Sequence, residues 1–326
     1  MNPQCVTAVG RVLGRAPTEA EIRNIEARLA KAMRLEASKD PQAWLAQPVP
    51  NQLRLGAQRA AADLLGEAAL KKQRAALQIL ATARLQQAVA AFPGTPMEAL
   101  ARMIAFHADA RGSVMSVESR AKAIERDALR QMVDTLEATS PTFFGMIEDQ
   151  AGIRALVREL HGEASGNKDA AAGAKEFAKI AETLRTRFNR GGGDIGQLDD
   201  WGMPHHHSQR LVAKAGKDAW VRYLMPKLNR SRYVDERGRP MSDADVEAFL
   251  GEAWATIATG GVNKIEPGQA TGTGARANRG NASRQVHFKD ADAYLDYQQQ
   301  FGERTLYEVL VGHIHGAAND IALVET

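Results

Sequence analysis

Cysteine is nearly missing: Cys5 is the only one in 326 residues. That excludes an internal disulfide and any cluster of thiolate ligands. Aromatic residues make up only 6% of the chain, too few for a core built mainly on large rings. No run of eighteen apolar residues occurs, so no membrane-spanning helix is expected. The opening MNPQCVTAVGRVLGRAP lacks the basic start and apolar centre of a secretory signal, and a product of the cytoplasm is expected. Net charge is also modest, +3, too small by itself to identify a polyanionic partner.

Alanine is what the chain has in excess, with 57 residues against nine Phe and five Tyr. Alanine has the highest helix propensity because it loses no side-chain entropy on folding. It also makes thin cores, which favours long helices packed closely. The expected fold is therefore mainly α: an elongated helical bundle, then a smaller α-rich domain with long loops and at most short strands. The balance of 44% hydrophobic and 25% charged residues is that of a globular protein.

Local signals place the helices. Thr18 followed by Glu21 is a capping box, and Ile22, Ile25, Leu29 and Met33 then recur at helical spacing. Residues 51–92 contain no proline and only Gly56 and Gly66, which predicts a helix of about 60 Å. Thr95, Pro96 and Glu98 open another, and Val117, Ala121, Ile124, Ala128, Met132 and Leu136 mark a third. The polar, glycine-containing stretch 161–176 reads as a linker, dividing a bundle at 1–160 from a C-terminal domain at 177–326. Beyond it, helices are expected near 175–188 and 217–229, after Ser242 with Asp245, and over DADAYLDYQQQ. A hairpin turn is expected at YVDERGRPM, a long loop at 259–284, and a short strand at RQVHF. The last segment, GHIHGAANDIALVET, ends without Gly, Pro or a basic last turn, so the polypeptide is expected to continue past 326.

One stretch raises the question of chemistry: LDDWGMPHHHSQRL, with Asp199, Asp200, His205, His206 and His207. Adjacent histidines point about 100° apart on a helix or to alternate faces of a strand, so at most two can share an ion without strain. His287, His313 and His315 are further donors, but the last two lie on different sides of a helix. The favoured reading is a structural turn formed by Trp201, Gly202 and Pro204. The alternative is a metal site of Asp199, Asp200, His205 and His207. Glu159 and Glu163 have helical spacing, yet they run into a polar loop that leaves both solvated, a poor setting for paired-carboxylate hydrolysis. There is neither a Gly-x-Ser-x-Gly elbow nor a phosphate loop ending in Gly-Lys-Ser/Thr, and no cofactor is expected.

Positive charge is local. Residues 201–240 hold nine Lys or Arg against three acids, and Arg276 to Lys289 adds four bases with no acid. Arg230, Arg232, Arg276, Arg279 and Arg284 stand among Gly, Asn and Ser, where guanidinium groups adapt to phosphates without reading bases. They are the candidate polyanion-binding residues.

Five strings carry a resemblance. CVTAVGRVLGRAPTEAEIRNIEARL, RFNRGGGDIGQLDDWGMPHHH, LNRSRYVDERGRPMSDADVEAFL, ARANRGNASRQVHFKDADAYLDYQQQFG and GHIHGAANDIALVE together resemble the internal virion, or ejection, proteins of tailed bacteriophages and prophages. The Trp-Gly-x-Pro turn fits that pattern; the triple histidine departs from it. The resemblance implies a non-enzymatic homo-oligomer packaged in the capsid near the portal or tail lumen. It also implies expulsion with the genome, to help form a conduit across the host envelope. Its implied partners are portal or tail-tube proteins, other ejection proteins, packaged double-stranded DNA and then the host envelope, with no small-molecule substrate. Two other readings stay open at this point: a metal-dependent or peptidoglycan-directed hydrolase, and a DNA-binding assembly factor.

Overall fold

A computed structural model describes the chain except residues 38, 108–114, 194, 197–201, 236–238 and 263–285. The fold is mainly α. Fourteen α-helices and no strand occur among the described residues, and Val234 and Pro240 form an isolated antiparallel bridge. The helices are α1 (Pro3–Leu13), α2 (Glu19–Ala37), α3 (Pro41–Leu45), α4 (Val49–Ala91), α5 (Pro96–Ile104), α6 (Val117–Thr139) and α7 (Phe143–Met146). They continue as α8 (Gln150–Leu160), α9 (Lys168–Arg190), α10 (Gln209–Ala215), α11 (Lys217–Leu224), α12 (Asp243–Ala258), α13 (Ala291–Phe301) and α14 (Leu306–Glu325).

Two compact units share the chain: Met1–Gln73 with Leu228–Glu252, and Arg74–Lys227 with Ala253–Thr326. This corrects the division expected at 160–177. The boundaries fall inside α4 and α12, and the stretch expected to be a linker enters α9 at Lys168, where Asn167 caps the helix by accepting from the Asp169 and Ala170 amides. The physical reason is long-range packing. Ala121 and Ile124 of α6, Phe177, Ile180 and Leu184 of α9, and Ile314, Ala318 and Ile321 of α14 form one core cluster. Residues on both sides of the expected linker thus bury each other.

The first unit is built on small side chains. Cys5 and Val9 of α1, Ile25 and Ala32 of α2, and Ala57, Ala60 and Ala61 of α4 make its core, beside a cluster of Met33, Ala37, Trp44 and Val234. At Gly56 an added Cβ would lie 2.3 Å from Met33 Cγ, so glycine lets α4 press onto α2. The flanks of the expected hairpin pair here, the Asp235 amide donating to the Arg239 carbonyl at 2.9 Å and the Met241 amide to the Tyr233 carbonyl at 3.0 Å, while 236–238 lie outside the described residues.

Capping follows the local signals. The boxes at Thr18–Glu21 and Thr95–Glu98 both form, and the Asp245 amide donates to the Ser242 hydroxyl at 3.2 Å. A further box, Thr305–Glu308, opens α14. Where a helix was expected over 217–229, α11 stops at Leu224 and a 3-10 turn follows at Met225–Lys227, because Pro226 has no amide to continue the ladder. The loop expected at 259–284 lies largely outside the described residues, as do Arg284 and Gln285 of RQVHF; the described part of the expected strand, 286–288, forms no strand. No described helix is long and apolar enough to cross a membrane.

Candidate functional site

The histidine stretch lies in the second unit against α13. Sequence periodicity explains how. Residues 204–208 are non-helical, while Tyr294, Tyr297, Gln298 and Phe301 recur at i, i+3, i+4 and i+7 on α13 and are all buried. Three hydrogen bonds join alternate residues of the first segment to that stripe. The Tyr294 hydroxyl donates to the Pro204 carbonyl at 3.0 Å, the Gln298 side-chain amide to the His206 carbonyl at 2.8 Å, and the Ser208 amide to the Phe301 carbonyl at 2.8 Å.

His205 and His207 pack into the node edge-on to each other, with ring centroids 5.9 Å apart. His205 meets Phe288 at 5.3 Å and Tyr294 at 5.9 Å, and His207 meets Tyr297 at 5.4 Å. Nδ1 of His207 lies 2.6 Å from the Tyr297 hydroxyl, which also accepts from the indole N–H of Trp220 at 3.2 Å. A neutral imidazole whose Nδ1 accepts the tyrosine proton pairs Nδ1, the phenol and the indole N–H, and leaves the ring proton on Nε2. The other nitrogen, Nε2, is buried without a hydrogen-bond partner among the described residues. Burial, reinforced by His205 and His206, pushes the His207 pKa down to about 3. Burial also lowers His206 and His161, and raises the Tyr294 and Tyr297 phenols well above their ordinary value.

The turn residues have distinct places. Met203 and Pro204 are buried. Gly202 sits at the end of α8, where an added Cβ would meet the Leu160 carbonyl at 3.1 Å and the His161 ring at 3.2 Å. Trp201, Asp199 and Asp200 lie outside the described residues. Among the described residues no group of three or more His, Cys, Asp or Glu side chains is placed to hold a metal ion.

Both glutamates weighed as hydrolytic residues hold backbone. Glu159 accepts from the Ser165 amide and hydroxyl at 2.7 Å, and Glu163 accepts from the Ala291 amide at the start of α13 at 2.7 Å. His315 is paired with Glu125 at 3.1 Å, and the His313 ring lies tilted against Phe177, centroids 6.1 Å apart. Of the candidate polyanion-binding arginines, Arg230 is tied within the first unit to Asp243 at 2.7 Å and to the Met241 carbonyl at 3.1 Å. Arg232 is half-buried close by in the same 3-10 turn. Arg276, Arg279 and Arg284 lie outside the described residues.

The sequence reading singled out the histidines and missed their partners, Tyr294, Tyr297, Trp220 and Gln298. The aromatic stripe at helical spacing in DADAYLDYQQQF was the available signal. No protein-family model, curated protein or solved structure matches the chain.

Proposed function

We propose that the chain is an internal virion protein of a tailed bacteriophage or prophage, packaged near the portal or in the tail lumen and expelled with the genome. In this reading it is a non-enzymatic member of a homo-oligomeric assembly. Its partners are portal or tail-tube proteins and other ejection proteins, then the host envelope, with packaged DNA as a polyanionic neighbour.

One observation carries the reading. Two of the strings that bear the resemblance, the one ending in WGMPHHH and the one containing DADAYLDYQQQF, meet in a single aromatic node. Their side chains there pack on one another and hydrogen-bond to backbone carbonyls and to each other. Such residues serve architecture, as in a structural component. Thin alanine-rich cores such as that of Ala57, Ala60 and Ala61 support it further, since little apolar area must be exposed to open them for passage through a narrow tube.

Protease protection tests the location. Particles from the cell that encodes the chain are treated with protease intact, and again after osmotic rupture. An internal protein survives the first treatment and is degraded in the second. Degradation in intact particles contradicts the proposal.

A further inference from the structure

The second unit contains an apolar cavity of about 210 Å³, separate from the histidine node. Its wall is assembled from five helices. Met132 and Val133 come from α6, Phe143 and Phe144 from α7, Leu156 from α8, Phe177 from α9, and Leu310 and Val311 from α14, with Met203 closing one side. Among the described residues no lining side chain is charged or an amide, and Tyr307 is the only hydroxyl-bearing one. Tyr307 is 57% exposed, so the cavity has a rim that reaches solvent.

Three features separate this space from an ordinary packing defect. Close-packed interiors rarely leave voids much larger than a water molecule, and a dry cavity of about 150 Å³ lined by aliphatic and aromatic groups already takes up benzene. The lining offers water almost no hydrogen bonds, and a water needs two to four of them to be held. The backbone also preserves the volume. At Gly173 of α9 an added Cβ would stand 2.1 Å from the Phe143 ring, so glycine leaves that ring its place in the wall.

We infer that this cavity is a binding site for a neutral, compact, apolar molecule. At the packing density of a protein interior it holds roughly 155 Å³ of ligand, about ten carbon atoms. A fused aromatic bicycle or a branched hydrocarbon of that size fits the description; an anion or a sugar leaves its polar groups unpaired against this wall. The inference rests on the cavity alone and stands or falls apart from the virion reading.

Naphthalene is the probe, applied to the full chain with its methionine methyl groups isotopically labelled. Two wall residues, Met132 and Met203, report from inside the cavity; Met33 in the first unit and the exposed Met97 serve as controls. Naphthalene is expected to shift the Met132 and Met203 methyl signals, leave Met33 and Met97 in place, and raise Tm by roughly 3 °C at about ten times its Kd. Pyrene, with a larger ring system, is expected to do neither. Two filling variants, Val133→Phe on α6 and Val311→Phe on α14, are each expected to abolish the response while keeping the helical circular dichroism. Unmoved Met132 and Met203 signals in the unmodified chain overturn the inference, and so does a response that persists in both folded variants. Should both variants fail to fold, the methyl signals of the unmodified protein decide the matter alone.

Discussion

His207 and Tyr297 stand ninety residues apart in sequence and 2.6 Å apart in space, with Trp220 completing the pair from a third segment at 3.2 Å. Their hydrogen bonds tie the 202–208 segment, α11 and α13 into one node. Removing the tyrosine oxygen leaves a buried imidazole nitrogen and a buried indole N–H without partners. Tyr297→Phe is therefore expected to destabilise the fold by about 1–3 kcal/mol, measured by urea denaturation. A change below about 0.5 kcal/mol contradicts this placement.

The same node makes stability depend on pH. His207 titrates near 3 in the fold but near the ordinary histidine value of about 6.5 when unfolded. The unfolded chain therefore binds more protons between those values. The contribution is complete above pH 6.5 and is lost as pH falls, at about 1.4 kcal/mol per pH unit for this one group. His161 and His206 are shifted the same way and add to the slope. Between pH 6.5 and 5, where carboxylates still contribute little, a loss of about 1.6 kcal/mol is expected from His207 alone. His207→Phe should flatten the profile; an equal slope in the variant refutes the assignment.

Two glycines in one helix are expected to respond with opposite signs. Gly66 of α4 has nothing within 4 Å of an added Cβ, so Gly66→Ala should stabilise by about 0.5–1 kcal/mol through backbone entropy. Gly56, against Met33, has no such room, and Gly56→Ala should destabilise by about 1–3 kcal/mol. Thermal unfolding of the pair checks both.

Helix boundaries were legible where the signal is local. The boxes at Thr18–Glu21 and Thr95–Glu98 need only residues three apart, and Pro96 marks its own first turn. The same rule applied to Thr305 and Glu308 marks the start of α14. The two-unit division was not legible, because it is decided by pairs such as Glu125 and His315, 190 positions apart, which no window of sequence compares. The histidines drew attention as possible ligands for a similar reason. Their aromatic neighbours lie on α13, and only the folded chain brings His205 to Phe288 and Tyr294.

Thr305→Ala tests the capping of α14 directly. The box joins the threonine hydroxyl to the Glu308 amide at 3.2 Å and the Glu308 carboxylate to the Thr305 amide at 2.8 Å. Its loss is expected to cost about 0.5–2 kcal/mol. Because α14 shares a core with α6 and α9, the loss should appear in the global unfolding transition rather than as local fraying.

The central claim is that the protein leaves the particle with the genome. Quantitative mass spectrometry of purified particles, full and then emptied by triggered ejection, tests it most directly. The account predicts several copies per full particle and loss from the emptied shells. Equal amounts in full and emptied particles, or absence from both, contradict it.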